Sequence, residues 1–297
     1  MSTGPVSWEA PATLDEALAL RARHGDEATV VAGGTFLGIL LNQGFIRPAR
    51  LLSLGRVAGL REIAVAGGEL RLGAMATHRD VERHPGVREG WPAIAHAFSV
   101  VASRRVRNQA TVGGVLADAD YASDPPAVLA AHDARVVLRS PAAERVVRIS
   151  ELIRGYYETC IASEELLVGV RVPPAPQRAV YRKFRSRSRE DRPCVAVAAA
   201  RAGDELRVVV GAVAQTPQAF PEVCAAAAGR RLDRALAEEV GRRYAERIEP
   251  LADARGSAAY RRRVTAVEVR RAVEALAEEA PDGATAADGR AGRGGRP

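Results

Sequence analysis

RNQATVGGVLADADYASDPP, residues 107–126, joins two features that ordinarily exclude one another. Gly113-Gly114 closes a short apolar run, and two residues without Cβ atoms let backbone N–H groups approach an anion closely. Asp118, Asp120 and Asp124 then follow in the same loop, where carboxylates would repel a phosphate. The fold depends on what this loop holds.

A second pair, Gly33-Gly34 in TVVAGGTF, has the same local setting. A lone Gly-Gly pair is a tight turn, as Gly67-Gly68 is in a hairpin. Two pairs that each follow a strand-like run sit where the chain leaves a sheet edge, and they point to one ligand gripped from both sides. Neither matches G-x-G-x-x-G or G-x-x-x-x-G-K-[ST], which excludes a Rossmann or P-loop reading.

Outward from these loops the chain reads as α+β. Thr13-Leu14-Asp15-Glu16 is a capping box opening a helix that Gly25 stops. Strands at 29–32 and 51–54 flank a helix closed by Gly44, a βαβ-type opening with a parallel or mixed sheet. Residues 61–75 form a hairpin, Thr77 caps a short helix, and 91–102 is helical. Asp124 before Pro125-Pro126 reads as an N-cap with proline at N1. A second hairpin (ARVVLRS, ERVVRIS) and a strand at 165–173 follow. PPAPQ (173–177) is a linker. Beyond it come three strands, AVYRKFRSR, CVAVAAARA and ELRVVVGAV, then helices, the last amphipathic from about Ser257 to Ala280. Residues 281–297 are Gly, Ala and Arg without periodicity and are expected to be disordered.

The chain has 297 residues, 47% hydrophobic and 27% charged, enough for two or three domains with cores of their own. No apolar run reaches the ~18 residues needed to cross a bilayer, and no basic-then-apolar leader opens the chain, so the expected location is cytoplasmic. The net charge of +7 rests almost wholly on arginine, without aromatic residues interleaved among basic clusters, which argues against nucleic acid. Cys160, Cys194 and Cys224 are isolated and the five histidines lack metal spacing, so neither a metal site nor an iron–sulfur cluster is expected on this chain.

VVAGGTFLGILLNQGFIRPARLLSL, RVRNQATVGG followed by ADADYASDPPAVL, YRKFRSRSREDRPCVAVA and SAAYRRRVTAVEVRRA, in that order, resemble the FAD-binding medium subunit of the molybdenum hydroxylases, the xanthine dehydrogenase and carbon monoxide dehydrogenase family. The resemblance runs from about residue 6 to about 280. It implies a two-subdomain FAD-binding region of the PCMH type at 1–173 (subdomains about 1–55 and 56–173). A C-terminal domain at 178–280 would follow, with a three-stranded antiparallel sheet and helices. It places the FAD pyrophosphate between Ala32, Gly33, Gly34, Thr35 and Thr111, Gly113, Gly114. Asp124 would bind the ribose of the adenosine half, with Asp120 toward the flavin side and Asp118 in solvent. Lys183 would approach the flavin ring. Two positions depart from the family pattern: Phe36 stands where a small or polar residue is usual, and Val115 replaces an asparagine. The implied function is electron transfer, from an iron–sulfur small subunit, which serves a molybdopterin large subunit, to an external acceptor. The implied assembly is a dimer of heterotrimers.

The residues themselves carry part of this. Lys183 is the only lysine in an arginine-rich chain. It is either a retained point charge, suited to stabilising a reduced flavin, or a chance survivor. Tyr121 and Tyr181 either shield the ring or are structural, and Asp191 reads as a loop ion pair. No nucleophile–base pair or carboxylate pair for substrate chemistry stands out, which fits an electron relay. Two other readings stay open: a stand-alone flavin reductase or oxidase of the related fold, and a non-catalytic assembly module for which Phe36 and Val115 argue.

Overall fold

The computed structural model describes residues 6–277. Three sheets follow one another along the chain. The first is parallel: β1 (Ser7–Glu9) and β2 (Ala28–Val31) both pair with β3 (Arg50–Ser53), which lies between them. The capping box forms as expected. Thr13 Oγ1 accepts from Glu16 N and Glu16 Oε2 from Thr13 N, and the helix runs Leu14–His24 before Gly25 turns at φ +50°. Strand β1 escaped the sequence reading, because three residues carry no measurable period.

The second sheet is antiparallel. Its strands are β4 (Ile63–Ala66), β5 (Glu69–Gly73), β6 (Arg135–Arg139) and β7 (Glu144–Arg148). After the small hairpin of β8 (Ile153–Gly155) and β9 (Glu158–Thr159), β10 (Leu166–Val172) inserts centrally, giving the order β4-β5-β10-β6-β7. Gly67 and Gly68 both have positive φ, the requirement of the two-residue turn joining β4 to β5. The helix expected over 91–102 stops at Ser99, and Ala102 turns at φ +40°.

Past residues 173–177, β11 (Arg178–Phe184), β12 (Val195–Ala202) and β13 (Glu205–Gly211) form the antiparallel meander read from the sequence. A fourth strand, β14 (Gln218–Ala219), pairs with Val209 and Val210, so the sheet has four strands rather than three. Two residues after a proline give no alternation to read.

Strand β12 is buried on both faces. Val195, Val197 and Ala199 pack with helices Arg234–Arg247 and Ala258–Ala277, while Ala196 and Ala198 join the core of the second sheet. Its run of small residues follows from this, because helix Pro125–Ala131 lies directly against β12 and β13. A Cβ at Gly211 would stand 3.1 Å from Ala127 Cβ, at the limit of close packing. One core therefore spans the N-terminal region and the C-terminal sheet. Among the described residues no helix is long and apolar enough to cross a membrane. The expected tail at 281–297 lies outside the described residues.

Two histidines are sealed in this core. His78 packs edge-on to Phe98, and His132 follows helix Pro125–Ala131 with Nδ1 donating to Val128 O at 2.8 Å. Burial pushes each down to about 4 from an ordinary value of 6.5. Between those values the unfolded chain binds protons that the folded chain refuses, so both histidines withdraw stability as pH falls from about 6.5 toward about 4. His132→Leu removes one of them. In urea titrations from pH 7 to pH 5, the wild-type chain should lose about 2 kcal/mol relative to the variant; parallel losses would show that His132 is protonated in the fold.

Candidate functional site

A cleft of about 670 Å³ opens between the first sheet, the second sheet and the β11 end of the C-terminal sheet. Its walls include Ala32, Gly33, Gly34, Thr35, Thr111, Gly113, Gly114, Asp120, Asp124 and Lys183, so the structure brings the ten residues expected at the cofactor site to one place, while Tyr121, Tyr181 and Asp191 do not line it.

The two glycine pairs do different work there. Beyond β2 the chain turns at Gly34, with φ +69°, into helix Leu37–Asn42. Among the described residues the amides of Gly33, Gly34 and Thr35 meet no protein acceptor, and a Cβ on Gly34 would stand in open space. The second pair does not leave a strand, contrary to expectation. Thr111 is the N-cap of helix Val112–Asp118, and the pair lies in its first turn. Both amides are already engaged, Gly113 N with Ala74 O at 2.7 Å and Gly114 N with Thr111 Oγ1 at 3.0 Å. A grip by amides from both sides is thus not what the fold presents; the free donors belong to the first loop.

Packing, not ligand approach, also explains two of these glycines. A Cβ at Gly33 would lie 1.9 Å from Gln109 O, and one at Gly113 2.8 Å from Ala74 Cβ. The first loop therefore rests on the backbone that leads into the second, which is why the two stand together.

The three acids are each compensated differently. Thr111, Gly114 and Asp118 share one helix face at i, i+3 and i+7, so Asp118 lies one turn below the second pair and lines the cleft. It is not the solvated residue expected: burial, reinforced by Asp120, pushes its carboxyl up to about 7, against the pull of Arg192. Asp120 is buried and pairs with Arg192 Nη1 at 2.6 Å, while its Oδ1 accepts from Ala122 N. Asp124 is 3% exposed, with Tyr181 Oη donating to Oδ1 at 2.5 Å and Lys183 Nζ donating to Oδ2 at 2.8 Å. Lys183 Nζ also donates to Val100 O at 2.9 Å. Burial opposes both charges of this pair, pushing the Asp124 carboxyl up and the Lys183 ammonium down, and each partner's charge pulls the other back.

Asp124 holds the N-cap position with Pro125 at N1, as its sequence setting suggested, but its side chain does not cap the helix. Its backbone is already helical (φ −75°, ψ −46°), and its side chain makes no cap bond. A cap accepts from the second or third helical amide, and Pro126 at the second position has none to give. The carboxylate is left free for Lys183 and Tyr181.

Several neighbours were invisible to sequence reading. Arg192 is one of four arginines between positions 185 and 192, with Arg185, Arg187 and Arg189, and nothing local marks it as the partner of Asp120. Asp191, expected in a loop ion pair, makes none among the described residues. The Tyr181 hydroxyl is taken by Asp124, and the Tyr121 hydroxyl donates to Asp253 Oδ2 at 2.9 Å and accepts from Arg255. Phe36, a departure from the family pattern, stacks on Tyr157 with centroids 5.7 Å apart and planes 5° from parallel, bridging the first glycine loop to the β8–β9 hairpin.

Comparison with known proteins agrees with this architecture. Residues 4–175 match the family model described as the FAD binding domain in molybdopterin dehydrogenase, and residues 179–276 match the CO dehydrogenase flavoprotein C-terminal domain. The nicotine 6-hydroxylase medium subunit of Paenarthrobacter nicotinovorans is 28% identical over 92% of this chain and 98% of its own length. A chain of quinoline 2-oxidoreductase from Pseudomonas putida 86 superposes with a TM-score of 0.86 at 29% identity, covering 93% of this chain and 98% of that one. A chain of carbon monoxide dehydrogenase from Hydrogenophaga pseudoflava has the same score, identity and coverage. With both models matched in order along one shared core, the chain belongs to the FAD-binding medium subunits of the molybdenum hydroxylase family.

Proposed function

We propose that FAD occupies the cleft with its pyrophosphate on the free amides of Gly33, Gly34 and Thr35, and that the chain works as the electron-transferring subunit of a larger complex. The observation that carries this reading is the pairing of uncommitted amides at one wall with a buried ammonium at another, in a cleft where Asp118, Asp120 and Asp124 are each compensated. An anionic dinucleotide needs that combination: donors for the phosphates, a cation elsewhere, and no free carboxylate between them.

Bound FAD supplies the chemistry, accepting electrons singly or in pairs and passing them on. The protein's own residues bind and orient it. Gly34 keeps the phosphate wall open because it has no side chain, and Thr35 adds a hydroxyl beside the amides. Thr111, Gly113 and Gly114 shape the opposite wall, fixing the helix that presents Asp118. Lys183 supplies the positive charge, and Phe36, where the family pattern has a small or polar residue, fixes the loop by stacking on Tyr157.

Electrons would arrive from an iron–sulfur small subunit and leave for an external acceptor, with a molybdopterin large subunit oxidising the substrate, in a dimer of heterotrimers. The names of similar chains support a heteromeric setting: they are a medium subunit, a medium chain and a complex subunit alpha. Co-purification of this chain with a cysteine-rich partner and a molybdopterin-containing partner is the corresponding test; a chain isolated alone that reduces a substrate with its FAD would replace the reading by a stand-alone reductase.

Two measurements bear on the cleft itself. Asn and Asp both tolerate the left-handed backbone of Gly34 and differ by one charge. Gly34→Asp should bind FAD about tenfold more weakly than Gly34→Asn in a flavin-fluorescence titration; equal affinities would remove the first loop from the phosphate site. Asp118 gains charge as pH rises through about 7. An anionic ligand nearby is then repelled, so wild-type FAD affinity should fall about fivefold between about pH 6 and about pH 8, while Asp118→Asn stays flat. A slope common to both proteins would exclude Asp118.

A further inference from the structure

Tyr181 and Lys183 are two residues apart on β11 and so point to the same face of the sheet, toward the N-terminal region. Their neighbours point the other way. Val180 and Phe184 pack in the helical core, and Arg182 pairs with Glu268 on helix Ala258–Ala277. On the first face, Asp124 takes one donor from each residue, one per carboxylate oxygen, at 2.5 and 2.8 Å. The Lys183 side chain is 2% exposed and that of Asp124 4%.

An ammonium carries three donors. Asp124 and Val100 O occupy two of them, and among the described residues the third has no protein acceptor although the residue lines the cleft. A lysine side chain has four rotatable bonds and ordinarily sweeps a wide volume. Here it is held at two points within a buried socket, while the carboxylate holding it is itself held by the Tyr181 hydroxyl. With both oxygens engaged and little surface exposed, Asp124 is poorly placed to serve a sugar hydroxyl.

We propose that Asp124 and Tyr181 are positioning residues that hold Lys183 at the cleft wall, leaving its remaining N–H for the flavin ring, and that Asp124 is not a ribose ligand. The proposal rests on FAD occupying the cleft. It separates from that reading because a positioning residue acts on the flavin only through Lys183.

A double-mutant cycle on the full-length chain makes the separation. The readout is the equilibrium between oxidised and reduced bound FAD, followed by absorbance against redox dyes, with FAD affinity measured in parallel. Asp124→Asn should shift that equilibrium about tenfold, or about 30 mV for a two-electron couple. In a Lys183→Met background the same substitution should shift it less than about threefold, because the residue through which Asp124 acts is gone. Tyr181→Phe keeps the buried ring and removes only the hydroxyl, so it should give a smaller shift that also vanishes without Lys183. Additive shifts would mean that Asp124 acts on the flavin directly. FAD lost from Asp124→Asn but retained at the wild-type potential by Lys183→Met and Tyr181→Phe would make Asp124 a sugar ligand and overturn the proposal. A wild-type chain that binds no FAD would overturn the proposed function itself.

Discussion

A single buried carboxylate, that of Asp124, ties the halves of this molecule together. Removing an ion from water costs several kcal/mol even after relaxation, so it is kept only where partners surround it. Asp124 has its partners in the C-terminal domain, at Lys183 and Tyr181, and lies at the start of the helix that packs on β12 and β13. The charge and the packing constrain the same contact. If β11 slipped by one residue, Tyr181 and Lys183 would face the helices, and the buried carboxylate would lose both of these donors. The register of the C-terminal sheet is thus specified by a residue in the other domain.

The loop carrying Asp124 is fastened at two further points. Asp120 reaches Arg192, and Tyr121 reaches Asp253 and Arg255. Asp253 in turn meets Arg261, a fully buried arginine whose guanidinium also donates to the carbonyls of Cys194 and Ala212. These bonds hold the Asp253 carboxyl down at about 2 despite partial burial. Six residues of loop are therefore anchored to three separate places in the C-terminal domain, which makes that domain a wall of the cleft rather than an appendage.

Much of this was legible in the sequence, and the limit is physical. Alternation marked β4 to β7 and β11 to β13, and Thr13, Gly25 and Gly44 marked helix ends, because those signals act within a few residues. The ten residues expected at the cofactor site were placed by the order and spacing of motifs that resemble a family, and the structure gathers them in one cleft. What each does is decided over long sequence distances. Gly33 answers to Gln109, Gly113 to Ala74 and Phe36 to Tyr157, and no local pattern records such pairs. Asp124 stands at the N-cap position as read, but its side chain goes to two donors from β11 that no local pattern shows.

The acids that follow the second glycine pair show three ways of compensating a carboxylate. Asp118 is neutralised by burial, Asp120 by an arginine and Asp124 by a lysine. The three are not equivalent. An ion pair leaves a local dipole that salt and water screen weakly when it is buried, whereas a carboxyl held neutral stays so only while pH permits. The cation chosen also matters: Arg192 meets Asp120 from a partly exposed side chain, where a weakly hydrated, planar group suits the rim, whereas Lys183 is a compact charge with a donor to spare. A chain that uses arginine at nearly every other basic position has its one lysine where two donors are committed and a third is left over, a geometry that a planar guanidinium would not reproduce.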